Sequence, residues 1–152
     1  MPRQKNAKRK HFIAPWDPAN PKTEPDSDYK WLAAGITTAE PDNDEDTEDT
    51  AYYDGDGTPT TVVTTVKNGY SFEGEYIKED EAQKMIADMR FATGEDRNVW
   101  FKVVDSDGKD QYSGPATVSD IEIAGGDADE YEAFKAKITW NEVPKKSAVV
   151  GG

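Results

Sequence analysis

The stretch from Thr60 to Ala92 constrains what this chain can fold into more than any other. Thr60-Thr61-Val62-Val63-Thr64-Thr65-Val66 is a run of β-branched residues, stiff at χ1 and suited to a pleated surface, and it predicts a strand. Asn68-Gly69 follows, a pair that tolerates the positive φ of a two-residue hairpin turn. Tyr70, Phe72 and Tyr76 then share one face while Ser71, Glu73 and Glu75 share the other, so one side of the next strand is bound for a core. From Asp80 the period changes. Ala82, Met85, Ile86 and Met89 recur at spacings of three and four, which predicts the core face of a helix over 80–93. Asp80 suits the N-cap with Gln83 three residues on, and Gly94 lies where such a helix should stop. A hairpin followed by one amphipathic helix requires a sheet with the helix laid on it or across its end.

The residues before this unit differ sharply among themselves. Met1 to Lys10 carries Arg3, Lys5, Lys8, Arg9 and Lys10 with no acidic residue. Phe12, Ile13 and Trp16 follow among Pro15, Pro18, Pro21 and Pro25, which cannot donate to a β-ladder and hold the chain extended. Residues 1–28 therefore predict an extended basic arm. Its three large apolar side chains should dock on something, either the flank of their own domain or a neighbouring subunit. Tyr29 to Thr38 predicts a short strand through Trp31, Leu32 and Ile36. Glu40 to Gly57 then holds Glu40, Asp42, Asp44, Glu45, Asp46, Glu48, Asp49, Asp54 and Asp56 with no basic residue. Like charges this dense repel, which predicts a solvated loop over 40–57 that can serve as an interaction loop. Spacing argues against a calcium-binding loop: counted from Asp42, the required glycine falls on Thr47 and the terminal glutamate on Tyr53. Tyr52 and Tyr53 mark the return to the fold.

Beyond the helix, Val99-Trp100-Phe101-Lys102-Val103-Val104 predicts a strand buried on much of both faces. Asp105-Ser106-Asp107-Gly108 is its turn. A further strand runs through Thr117 to Ile123, and Gly125-Gly126-Asp127 turns the chain again. Phe134, Ala136, Ile138 and Trp140 then alternate with Lys135, Lys137 and Thr139, the clearest period of two in the chain. Pro144 ends that strand, leaving 145–152 as a flexible tail. Six or seven strands and one helix, with no strand-helix repeat, predict an antiparallel β-sandwich or flattened barrel with a flanking helix as one domain over 29–144.

The chemistry available is narrow. His11 is the only histidine and there is no cysteine. A histidine acid-base pair, a multi-histidine metal site, a thiolate nucleophile and a disulfide framework are all ruled out. The carboxylates cluster in stretches where water keeps them ionised, and the glycine pairs precede no clear helix that would cradle a phosphate. No enzymatic activity, cofactor or metal is expected. A formal net charge of −13 argues against general nucleic-acid binding, because phosphate affinity comes from Lys and Arg displacing counterions. With no apolar run of about 20 residues and no signal-peptide pattern, the expectation is a soluble chain made in the cytoplasm with no membrane partner.

An ordered series of motifs remains. Tyr52-Tyr53-Asp54-Gly55-Asp56-Gly57 precedes the Thr/Val strand, and Tyr70-Ser71-Phe72-Glu73-Gly74-Glu75-Tyr76 leads to Glu79-Asp80-Glu81-Ala82-Gln83 at the helix start. Gly114-Pro115-Ala116-Thr117-Val118-Ser119-Asp120-Ile121 then runs through Gly125-Gly126-Asp127 and Tyr131 to Phe134, Trp140 and Pro144. In order and spacing, roughly from Trp31 to Pro144, this series resembles the major tail proteins, or tail tube proteins, of long-tailed, non-contractile bacteriophages.

That resemblance implies a tail-tube type fold and a virion protein that assembles with itself into hexameric rings, stacked as the conduit for genome ejection. It also implies a tape measure protein inside the tube, terminator and distal tail proteins at its ends, and double-stranded DNA passing without specific binding. About 24 strands, four from each of six subunits, at ~4.8 Å spacing and ~40° tilt would close a barrel of roughly 48 Å backbone diameter. Inward side chains narrow this to about 38 Å, against a duplex roughly 20 Å across. Six copies at −13 each would sum to about −78 per ring, which repels phosphate if it faces the bore and otherwise keeps the subunit soluble. The expected contacts between subunits are Phe12, Ile13 and Trp16 of the arm and Asp42, Asp44, Glu45, Asp46, Glu48, Asp49, Tyr52 and Tyr53 of the acidic segment. The alternative is an acidic immunoglobulin-like binding or decoration module on a virion or cell surface, for which a monomer with exposed loops is expected.

Overall fold

The computed structural model of the protein describes residues 3–25 and 28–149. Residues 1–2 and 26–27 of the expected arm, and residues 150–152 of the expected tail, lie outside the described residues. In chain order the elements are β1 (Lys10–Pro15), β2 (Lys30–Trp31), β3 (Ile36–Pro41), β4 (Asp44–Thr50), β5 (Thr60–Lys67), β6 (Gly69–Glu75), α1 (Glu81–Asp88), β7 (Asn98–Val104), β8 (Asp110–Ile123), β9 (Ala133–Trp140) and β10 (Lys145–Ala148).

Eight strands form one antiparallel sheet in the order β2-β1-β7-β8-β9-β6-β3, with β10 continuing the line of β9 along β8. The sheet curls into a half-barrel, so the expected flattened barrel with a flanking helix is the fold observed. Its two end strands, β2 and β3, are joined by only Leu32 to Gly35, which brings the ends of the curl towards each other.

The alternations seen in the sequence set the inner face. Phe134, Ala136, Ile138 and Trp140 of β9 are buried beside Phe72 of β6 and Val99, Phe101 and Val103 of β7. On β8, Ala116 and Val118 point inwards, and a bulge between Ser119 and Glu122 then shifts the parity by one residue. Asp120 takes the extra position at φ 52, and Ile121 and Ile123 pack against the core in its wake. Without that bulge the strand would turn Asp120 and Glu122 to the core instead.

α1 closes one side of the curl. Asp80 caps it, accepting from the Gln83 backbone N–H at 3.1 Å. The Gln83 side chain is fully buried and does not return to the cap. Its Oε1 accepts from the Ile77 N–H at 2.7 Å, and its Nε2 donates to the carbonyls of Ala34 at 2.8 Å and Glu75 at 3.1 Å. One amide thereby stitches the helix to the β2-β3 connection and the end of β6. The helix covers 81–88 and ends sooner than the expected 80–93. Ala82 and Ile86 are buried on its inner face, and Met85 and Met89 are half-buried at the margin of the core.

Three sequence expectations are corrected here. Asn68-Gly69 is not a hairpin turn. β6 follows β5 directly but pairs with β3 and β9, and β5 pairs with β4. Gly69 is needed for space, since a Cβ there would collide with the Ile138 carbonyl. The acidic segment 40–57 is not simply a loop, because residues 44–50 form β4. The fold does not begin at Tyr29 or end at Pro144: β1 pairs with β7 from Lys10↔Val104 to Pro15↔Val99, and β10 occupies 145–148 of the expected tail.

Candidate assembly surfaces

β3 and β6 leave the half-barrel as a pair and continue, past Asp42 and Asn68, into the pair β4 and β5. The outcome is one long antiparallel ribbon. It is pinned where it leaves the body: the Asp42 N–H donates to the Gly69 carbonyl, and the Gly69 N–H donates to Asn43 Oδ1. Beyond that point β4 and β5 pair with no third strand among the described residues, and every residue of β5 is exposed. The turn at the tip spans 51–59, with Gly57 at φ 87 supplying the left-handed conformation.

Opposite residues of the ribbon share a face. Asp44, Asp46, Glu48 and Thr50 lie across from Lys67, Thr65, Val62 and Thr60 on one face. Glu45, Thr47 and Asp49 lie across from Val66, Val63 and Thr61 on the other. Thr64 is the extra residue of a bulge, and its hydroxyl donates to the Asp46 carbonyl. This register explains how so acidic a segment becomes a strand. No two carboxylates oppose each other, and the threonines of β5 donate to them: Thr65 to Asp46 Oδ2 and Thr61 to Asp49 Oδ1, both at 2.6 Å.

The acidic residues expected at subunit contacts thus fall into separate groups. Asp42 is engaged within its own chain, accepting from the Ser71 hydroxyl at 2.7 Å with Lys137 Nζ at 3.4 Å. The hydrogen bond from Ser71, followed by the Lys137 charge, holds its carboxyl below the usual range. Asp46 and Asp49 are met by threonines, and Asp44 lies opposite Lys67. Glu45 and Glu48 have no side-chain partner among the described residues. Tyr52 and Tyr53 stand exposed at the tip.

Of the two surfaces open to the arm residues, the described residues show the flank of their own domain. Ile13, at 0% exposure, belongs to its own core and cannot contact another subunit. The prolines that flank β1 do not keep it out of the sheet, because they sit at or beyond its end. Phe12 is half-buried with Lys102 Nζ 5.0 Å above its ring, and the same ammonium lies 4.1 Å from the Tyr29 ring centroid. Trp16 donates to the Pro21 carbonyl at 3.3 Å and lines a cleft of about 240 Å³ with Pro18, Met85 and Met89. The arm is therefore docked on its own domain.

Sequence reasoning gave no role to His11, whose position is informative. It lies in β1, buried among the rings of Tyr70, Phe72 and Phe101. Arg9 donates from Nε to His11 Nε2 at 3.1 Å and from Nη2 to the Ala39 carbonyl of β3 at 3.3 Å, and stacks over Tyr70. This one guanidinium links the two ends of the curled sheet. Burial, and secondarily the Arg9 charge, lower the His11 pKa to about 4. No local sequence signal marks the arrangement, which joins residues thirty or more positions apart. A second feature without a sequence signal is an apolar cleft of about 510 Å³ at the root of the ribbon, walled by Tyr70, Tyr112, Trp140, Val143 and Pro144.

No protein-family model matches this chain, and no curated protein matches it significantly. Solved structures do match along nearly its whole length. A chain from the tail of an empty gene transfer agent particle, refined with C6 symmetry, superposes with a TM-score of 0.72 at 13% identity, covering 96% of this chain and 100% of that one. The SPP1 tail tube gives 0.67 at 15% identity, with 97% and 81% covered. The sheath-tube complex of an extracellular contractile injection system gives 0.52 at 10%, with 92% and 89% covered. The fold is that of tail tube proteins.

Proposed function

We propose that this protein is the repeating subunit of a virion tail tube: six copies close a ring, rings stack, and the bore lets duplex DNA leave without binding it. The observation that carries this reading is the likeness, over 96% of the chain, to a subunit of a tail refined with C6 symmetry. The curled sheet fits such a role. The outer edges of β2 and β3 are unpaired among the described residues, and edges of this kind are normally covered or joined to another chain. The ribbon fits it too, since a long exposed hairpin stabilises nothing in its own subunit and can span to a neighbour. A tape measure protein within the bore, and terminator and distal tail proteins at the ends, are the further partners of this reading. The immunoglobulin-like alternative is disfavoured, because the eight strands curl as one sheet and do not form two facing ones.

Negative-stain electron microscopy of the purified protein over a range of concentrations tests the proposal. Tubes or stacks of six-membered rings are expected. Discrete monomers at every concentration would overturn it.

A further inference from the structure

The two faces of the ribbon are not equivalent. One holds a cation, with Lys67 across from Asp44, the Thr65 hydroxyl on Asp46 and a single valine, Val62, beside Glu48. The other has no cation and places two valines, Val63 and Val66, 48% and 44% exposed, beside Glu45, Thr47 and Asp49, with the Thr61 hydroxyl on Asp49. A surface of two valines bordered by two carboxylates suits a partner with an aliphatic stem and a cationic head, which describes a lysine or arginine side chain.

Residues 44–67 hold seven acidic residues and one lysine, and none of the seven forms an ion pair among the described residues. The chain's longest run of cations free of acid is Arg3, Lys5, Lys8, Arg9 and Lys10. Arg9 is consumed by His11 and Ala39. Arg3, Lys5 and Lys8 are exposed, and none of them has an ion-pair partner among the described residues. Two oppositely charged segments, neither with an ion pair among the described residues, therefore coexist in one chain.

We propose that they meet between copies: the Val63/Val66 face of one ribbon docks on the basic segment Arg3–Lys10 of a second copy. The lysine stems cover the valines while the ammonium groups reach Glu45 and Asp49. This rests on the tube reading and adds to it which face of the ribbon is covered and by what. It also gives the exposed Arg3, Lys5 and Lys8 acidic partners.

Charge reversal tests the pairing. Glu45→Lys with Asp49→Lys should abolish tubes at a concentration where the parent polymerises, while the far-UV circular dichroism melt of the free subunit stays unchanged. Asp44→Lys with Glu48→Lys makes the same change of net charge on the opposite face and should leave assembly intact. Lys5→Glu with Lys8→Glu should also abolish tubes, and combining it with Glu45→Lys and Asp49→Lys should restore them. Assembly of the parent together with no rescue in the combined variant, or equal loss from both faces, would overturn this pairing and leave the tube reading standing. A parent that stays monomeric throughout would overturn the tube reading itself, and this pairing with it.

Discussion

Two regions of this protein are built from strands of similar intrinsic preference and have opposite fates. β7, β8 and β9 form a meander whose inner side chains, Phe101, Val118, Phe134 and Ile138 among them, are sealed from water. β4 and β5 are paired along their whole length, with one bulge at Thr64, yet Val62, Val63 and Val66 lie in solvent. β-branched residues specify an extended, pleated backbone, but burial depends on what lies across from it. The meander finds its core inside the subunit. The ribbon has no core of its own among the described residues, and a two-stranded hairpin alone is marginal in water, so in the tube proposed above its cover comes from a neighbouring subunit.

The widest gap between the two regions should appear on truncation. Phe101 is fully buried, 4.9 Å from the Trp140 ring, and its carbonyl accepts from Trp140 Nε1 at 3.0 Å. Phe101→Ala should cost about 3 to 5 kcal/mol in the free subunit, read as a drop in the denaturant midpoint. Val63→Ala in the ribbon should cost under about 0.5 kcal/mol in the same assay, because little apolar contact is lost at an exposed site. Comparable losses would mean that the ribbon packs on the body in solution.

A smaller effect belongs to the seam that closes the curl. His11 protonates near 6.5 in the unfolded chain and at about 4 when folded. Above pH 6.5 neither state holds the proton and stability is flat. Between 6.5 and about 4 only the unfolded state binds it, so stability should fall with pH by up to about 1.4 kcal/mol per unit. His11→Gln should flatten that limb. The lowered carboxyls Asp17, Asp42 and Asp56 act elsewhere, since their contribution is present above their ordinary pKa of 3.8 and is lost only as pH falls below it. Urea melts from pH 4 to 7 read the histidine window apart from the carboxylate one, and an unchanged slope in the variant would contradict the role given to His11.

Only a small effect on stability should come from the largest change in sequence. Replacing 44–67 by a short turn that joins Asn43 to Asn68 leaves the β3-β6 pairing and the Asp42–Ser71 hydrogen bond in place. The denaturant midpoint should shift by less than about 1 kcal/mol, because the loop is closed near its own base. Assembly should nevertheless be lost. A shortened chain that melts normally and still forms tubes would remove the ribbon from the account.

The same contrast decides what was legible in the sequence. β9 was readable because one face meets the core at every second residue. The start of α1 was readable because Asp80 carries its own capping chemistry. β4 was hidden by its charge, since its stability as a strand depends on hydroxyls of β5 that are distant in sequence. β1 was hidden by nearby prolines, although Lys10 to Ala14 can donate freely and Pro15 comes last. Asn68-Gly69 carries the signature of a tight turn, but steric crowding against Ile138 explains the glycine equally well, and only the tertiary structure separates the two. Among the contact candidates, the sequence picked out the acidic segment as a whole. Which carboxylates are already satisfied depends on register, which composition does not contain.

The central claim is that the ribbon finds its core in a neighbouring subunit. Amide hydrogen exchange on free and assembled protein, followed by mass spectrometry of peptides from 44–67 and from 98–140, tests it most directly. The account predicts strong protection of the β7-β8-β9 peptides in both states, and protection of the ribbon peptides only after assembly. Ribbon amides that exchange equally fast in subunits and in tubes would contradict it.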